Sequence, residues 1–325
     1  MSDWLRLSNE ISGKERGADY IIDSLYETGV DYLFGLPADS INALFDAVRK
    51  NSNLRMITCR HESNGALMAS AYAKLSMRPA AISATNGPGV GHLPLGCRDA
   101  FLDEVPMIVL PGTVNHAMAG LRTFQDLDGQ RLLEPWTDGV FRCESVSGLS
   151  RLDVLISRAV ESRRPVAFLP SPEVLMSSTG GTKRTTRRKP RKPGSWSSSQ
   201  KDIDRAEQII ATAHTLAVIV SDTRFAPDGI VDRAMKVGLL APSAIQSPHW
   251  SRIRTQYRIF CGMHVDDWLS DVDTVLVVGS WPGELKELLK SKKVVHFTEQ
   301  PSWRVNCTSY VNVCGCSAQQ VWLDA

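Results

Sequence analysis

Hydrophobic positions in the first part of the chain follow two alternating rhythms. Short β-type runs occur at Tyr32 to Phe34, Leu54 to Thr58, Ala80 to Ala84, Met107 to Leu110 and Val166 to Leu169. Before and between the first of them, apolar residues recur at helical spacing over Ala18 to Thr28, Ser40 to Arg49 and His61 to Leu75. Gly29 is placed to stop the first helix, and Pro79 forces the third to end before it. Short apolar strands alternating with longer 3.6-period stretches predict a parallel sheet covered by helices.

From Ser177 to Ser199 the pattern lapses into Ser, Thr, Gly, Pro and basic residues, with Lys183, Arg184, Arg187, Arg188, Lys189, Arg191 and Lys192 close together. This composition reads as an exposed linker. A basic run also suits nucleic acid or an acidic surface, but between two folded segments a solvated tether is the simpler reading. Alternation resumes near Lys201, with a helix at Ile203 to Ala213, a strand at Leu216 to Val220, a helix near Ile230 to Val237, and strands at Thr274 to Val278 and Val294 to Phe297. The predicted fold class is α/β. Two doubly wound parallel-sheet domains, 1–176 and 201–325, are joined by a basic Ser/Pro-rich linker over 177–200.

Composition narrows the partners more than the fold. The chain has 325 residues, 43% hydrophobic and 22% charged, which suits one or two ordinary globular domains with substantial cores. Basic and acidic residues nearly balance, 37 against 35, so no global charge draws the chain to nucleic acid or membrane. Seven cysteines, with no signal-peptide pattern and no membrane-length apolar run, predict a reducing, soluble setting such as the cytoplasm. Cys314-Gly315-Cys316 has no second pair and no histidine beside it, so no metal ligand is nominated. Cys59, Cys97, Cys143, Cys261 and Cys307 read as small core hydrophobes. The eight Trp, including Trp4 and Trp322, read as packing or interface residues.

Chemistry concentrates in Arg60-His61-Glu62-Ser63-Asn64-Gly65-Ala66, which follows a strand and opens a helix. The open N–H groups and dipole of a first helical turn favour an ionised carboxylate, whereas burial disfavours the charged form. A buried glutamate there is placed to hold or share a proton, the requirement for acid/base work. The alternative is a surface Glu that merely complements the dipole. Gly35-Leu36-Pro37 also follows a strand directly, and ligands on open parallel sheets collect at the carboxyl ends of strands.

Further segments extend this picture in a fixed order: Gly29-Val30-Asp31-Tyr32-Leu33-Phe34-Gly35-Leu36-Pro37, Asp39-Ser40-Ile41, Arg60-His61-Glu62, Asn86-Gly87-Pro88-Gly89, Asp103-Glu104-Val105-Pro106 and Thr123-Phe124-Gln125-Asp126. Together they resemble the pyrimidine-binding (Pyr) domain of thiamine diphosphate enzymes, in the pyruvate oxidase and acetolactate synthase group, over roughly residues 14 to 175. The resemblance implies that Glu62 hydrogen-bonds the aminopyrimidine of the cofactor and favours the imino form that removes the thiazolium C2 proton. It implies that Gly35, Leu36 and Pro37 form a loop beside the cofactor and that Gly87, Pro88 and Gly89 form a turn near the pyrimidine. Phe124 and Gln125 then line the substrate side, the alternative being a loop residue and its solvated neighbour. His92 is either a polar substrate contact or a satisfied structural residue, and His61 is equally open. Residues 201–325 are similar, more weakly, to the central domain of the same family, with Val275 to Ser280 as its strand and glycine turn.

Departures from that family shape the expected function. A diphosphate-binding (PP) domain would supply a Gly-Asp-Gly opening and, later, an Asn holding magnesium; no Gly-Asp-Gly occurs here, and Ala325 stands where that domain would begin. The expectation is a subunit of a split enzyme, decarboxylating a pyruvate-like 2-oxo acid and passing the acyl-anion equivalent to an acceptor. A separate PP-domain polypeptide would hold Mg2+ and share thiamine diphosphate, in a homodimer or heterotetramer. Two alternatives are a catalytically inactive regulatory relic and a flavin- or nucleotide-binding oxidase-like protein. Ser221 to Pro227 lacks the close glycines a dinucleotide wants after a strand, so FAD is not expected. Ala38 follows Pro37 where the family often has Gly, and its methyl is expected to narrow the pocket.

Overall fold

The computed structural model describes residues 15–50, 53–76, 78–181, 198–220, 269–270, 272–279, 286–298 and 309–314. The chain divides into two compact units, Met1–Arg191 and Lys192–Ala325. In the first, six strands run β1 Tyr32–Gly35, β2 Arg55–Thr58, β3 Ala80–Ala84, β4 Met107–Pro111, β5 Val140–Cys143 and β6 Val166–Pro170. They form one sheet in the order β2-β1-β3-β4-β6-β5, with every pairing parallel. The helices are α1 Gly17–Glu27, α2 Asn42–Lys50, α3 Glu62–Ser76, α4 Pro88–Gly91, α5 Pro94–Leu102, α6 Gly129–Leu133, α7 Ser150–Ser162 and α8 Pro172–Met176.

Strand side chains alternate between two cores, as a period of two requires. Leu33, Ala81, Ile108, Leu110, Val166 and Phe168 point to one face, where Tyr20, Ile21, Leu25, Leu44, Ile156 and Val174 from α1, α2, α7 and α8 cover them. Phe34, Ile82, Met107, Val109, Ala167 and Leu169 point to the other, against Ala66, Ala69 and Ala73 of α3 and Cys97 and Ala100 of α5. Strands β3, β4 and β6 are buried throughout, which explains their unbroken apolar sequence. The doubly wound architecture predicted for this unit is therefore present.

Local chemistry sets the element ends. Gly29, at φ +89°, follows α1, its N–H bonding Tyr26 O at 2.9 Å while Val30 N–H reaches Leu25 O at 3.1 Å. That pair of bonds is the Schellman closure a left-handed glycine permits. Ser171 caps α8, accepting the Val174 N–H, with Pro172 in the first turn. Ser177 to Thr179, where the linker was expected to begin, are held by this unit: Gly17 N–H bonds Ser177 O at 3.0 Å, and Thr179 bonds the Glu15 carbonyl and carboxylate at 2.9 and 2.7 Å. The basic residues 183–192 lie outside the described residues.

In the second unit α9 Gln200–Ala211 precedes β7 Leu216–Val220, β8 Thr274–Val278, α10 Lys286–Leu289, β9 Lys293–Thr298 and β10 Ser309–Cys314. The sheet is parallel, in the order β10-β9-β8-β7. Ala217, Ile219, Val275, Val277 and Val294 form its core with Leu269, Val272 and Leu289. Ser199, expected to end the linker, caps α9 by accepting the Asp202 N–H. The helix expected near Ile230 to Val237, the segment Ser221 to Pro227, and Trp4, Trp322, Cys261 and Cys307 lie outside the described residues.

Candidate active site

From β1 the chain winds to β2 on one side and returns across β1 to β3 on the other, so the loops leaving β1 and β3 diverge at their carboxyl ends. Such a switch point opens a crevice where ligands bind in doubly wound folds. The three segments at this end are Leu36 to Ser40 after β1, Cys59 to His61 after β2 and Thr85 to Gly87 after β3.

Glu62 is the first residue of α3. Positions 62, 66, 69 and 73 share one face of that helix by their four-three-four spacing, and Ala66, Ala69 and Ala73 are buried against the sheet. Glu62 tops the same stripe and is only 7% exposed. One carboxylate oxygen, Oε2, lies 3.1 Å from His92 Nδ1. Beside the other is Gly89, where a Cβ would stand 3.1 Å from Oε1 and 2.8 Å from Thr85 Cγ2. The glycine thus leaves a cradle open over the acid. A buried carboxylate with one oxygen partnered and the other beside a glycine fits a hydrogen-bonding heterocycle, the chemistry expected of the thiamine diphosphate aminopyrimidine.

The glycine turns have separate reasons. Gly35 packs against β3 so tightly that a Cβ would meet Ser83 O at 2.6 Å. Gly87 has φ +64°, a conformation that favours glycine, and a Cβ there would lie 2.7 to 2.9 Å from Gln125. Pro88 opens α4 and His92 closes it. Ala38 does not act as predicted: its backbone is extended, at φ −160°, and its methyl packs against the α1-side core.

Among the residues expected on the substrate side, Gln125 touches Gly87 and accepts a hydrogen bond from Asn86 Nδ2 at its carbonyl, at 3.3 Å. It sits at φ +60° in a loop where Arg122 is also left-handed, and Asp126 Oδ2 ties the loop by accepting Gly120 and Arg122 N–H. Sparsely populated backbone of this kind persists only where the surroundings fix it. Phe124 is 87% exposed. His92 is drawn to Glu62 instead of standing apart as a separate contact.

Ser40, Thr85 and Ser63 belong to the site without having been given a role from sequence, and so does His61, whose role was left open. Ser40 Oγ accepts Asn86 N–H at 3.2 Å and pairs with Thr85 Oγ1 at 3.1 Å, so the β1 and β3 loops are stitched together. His61 Nδ1 accepts the Ser63 N–H at 3.2 Å, and its ring lies 4.3 Å from that of His92. Ser63 Oγ donates to the His92 carbonyl at 2.7 Å. Placement after a strand was the signal for Ser40 and Thr85; the His61 and His92 pairing needs the fold. Cys59, next to this cluster, is not a nucleophile in waiting, since burial pushes its thiol above the ordinary value and the Glu62 charge acts in the same sense.

Comparison with known proteins agrees with this geometry. Residues 15–132 match the family described as thiamine pyrophosphate enzyme, N-terminal TPP binding domain. Acetolactate synthase of Bacillus subtilis is 33% identical over 171 residues, 52% of this chain and 30% of that protein. Catabolic acetolactate synthase of Raoultella terrigena is 24% identical over 300 residues, 88% of this chain and 53% of that protein. Chloroplastic acetolactate synthase of Arabidopsis thaliana is 35% identical over 111 residues, 34% of this chain and 17% of that protein. The chain thus spans about half or less of the relatives it matches. By the domain match and these relatives, residues 15–132 of the amino-terminal unit are similar to the thiamine diphosphate-binding domain of this enzyme family, with a buried glutamate at the switch point.

Proposed function

We propose that the chain is one half of an acetolactate synthase-like carboligase, acting on a pyruvate-like 2-oxo acid with thiamine diphosphate. The observation that carries this reading is the buried Glu62 at the switch point, with Gly89 leaving its Oε1 uncovered. When bound, the cofactor supplies a nucleophilic carbon and an electron sink for the departing carboxylate. Glu62 would hold the aminopyrimidine of the cofactor through Oε1 or Oε2, where a carboxyl oxygen is able to take or give a proton. His92, 3.1 Å from Oε2 and with its side chain 44% exposed, links that acid to solvent. Gly35, Leu36, Pro37, Gly87, Pro88 and Gly89 shape the pyrimidine pocket, and Phe124 and Gln125 face the substrate.

The diphosphate and Mg2+ are assigned to a PP-type domain on a separate polypeptide. A diphosphate needs a hard cation or dense N–H groups to offset its charge. The loop after β4 adds support, because Phe124, Leu121, Met118 and Leu127 are exposed together, as befits a surface that another chain covers. The assembly is a homodimer or heterotetramer in the cytoplasm. No described helix is long and apolar enough to cross a membrane. The test is isolation of the complex from its own cells: recovery of a Gly-Asp-Gly-bearing chain together with thiamine diphosphate-dependent pyruvate consumption supports the reading, and a complex with neither overturns it.

A further inference from the structure

His61, Glu62 and His92 are brought together so that one ligand atom from each lies within 4.8 Å of the others, the one such group of His, Cys, Asp or Glu among the described residues. We propose that this trio binds a transition metal ion of the zinc type through two imidazole nitrogens and one carboxylate oxygen, with the outward side left to water. The donor set decides the class of ion: imidazole with carboxylate suits Zn2+, Co2+ or Ni2+, whereas Mg2+ takes oxygen ligands and keeps its waters.

Ligand bonds of about 2.0 to 2.2 Å around a tetrahedral ion place neighbouring donor atoms about 3.3 Å apart. His92 Nδ1 and Glu62 Oε2 are already 3.1 Å apart. The His61 ring stands beside that of His92, 4.3 Å between centroids and tilted by 31°, so modest rotation brings its nitrogen to the same point. Glu62 is fixed at the start of a 15-residue helix, and Ser63 restrains both histidines, through its N–H to His61 Nδ1 and its hydroxyl to the His92 carbonyl. An ion taking the His61 Nδ1 lone pair displaces one hydrogen bond of 3.2 Å, a small loss beside three metal bonds. Both histidine side chains reach the surface, which gives the ion an entry path and an open fourth position. The inference stands on this geometry and does not depend on the cofactor reading; where both hold, ion and cofactor compete for Glu62.

Co2+ alone is the probe, titrated into the full chain with thiols kept reduced and followed by calorimetry and visible absorption. The expected result is one equivalent bound without thiolate-to-metal charge transfer, weakened about tenfold or more in either His61→Asn or His92→Asn and lost in the double variant. Both substitutions are at exposed or half-exposed side chains, so circular dichroism serves to confirm an unchanged fold. Retention of the equivalent in the folded double variant, a thiolate spectrum, or no uptake by the unsubstituted chain overturns the proposal. A failure of the thiamine diphosphate reading leaves this titration unchanged.

Discussion

At the scale of single residues, the site depends on positions where a side chain must be either absent or buried. Gly87 shows the first kind. A methyl there meets Gln125 at under 3 Å and is held in left-handed backbone, which costs a non-glycine residue about 1–2 kcal/mol before any clash. Gly87→Ala is therefore expected to lower stability by about 2 kcal/mol or more, measured by urea unfolding, and to loosen the Gln125 loop, measured by proteolysis in that segment. A wild-type midpoint with wild-type proteolysis would refute the packing described. Glu62 shows the second kind, and its placement was legible: the spacing of Glu62, Ala66, Ala69 and Ala73 puts the acid on the buried stripe of its helix. Its contact with His92 was not legible, because the thirty-position separation carries no periodic signal about which loop returns to α3.

At the scale of elements, α3 delivers Glu62 to the crevice only because α5 lies almost upon it. A Cβ on Gly96 would stand 2.3 Å from Ala66 Cβ and 2.7 Å from its backbone, so the two helices touch through small residues. Gly96→Val is expected to wedge them apart at about 1–3 kcal/mol, read as a lower midpoint in thermal unfolding, with an added loss of thiamine diphosphate binding in the assembled complex. No change in stability would mean the helices are not so close. The strands that sequence predicted are those with continuous apolar runs or a clear place in the alternation. Both strands it missed, β5 and β10, are at sheet edges. Half-buried β5 breaks its run with Arg142, and β10 alternates Ser309, Tyr310, Val311, Asn312, so neither reads as a central strand. Helix α7, also not among the predicted ones, carries apolar residues at 152, 155, 156 and 159, a helical period the sequence does contain.

At the scale of the whole molecule, the two units have separate sensitivities. In the second unit His296 is buried, its Nε2 donating to Gly279 O at 2.6 Å and its Nδ1 accepting from Tyr310 at 2.9 Å. Burial pushes its pKa from 6.5 down to about 4. Between those values the unfolded chain binds a proton that the folded one refuses, so stability rises with pH across the window and is lost on acidification. At 1.36 kcal/mol per unit the loss amounts to about 3 kcal/mol. Urea titrations from about pH 7 to about pH 4 should show it for this unit, with the slope reduced in His296→Gln; a slope unchanged by that substitution would remove His296 as the cause.

The central claim for the assembled protein is that Glu62 handles the proton on which thiamine diphosphate chemistry depends. Its most direct test is the rate of thiamine diphosphate-dependent carbon dioxide release from pyruvate by the complex isolated with the full chain, comparing wild type with Glu62→Gln. The predicted result is a rate lower by about a hundredfold or more in the variant, the scale of lost acid/base assistance, with the complex still assembled. Equal rates from the two, or release that does not depend on thiamine diphosphate, would contradict it.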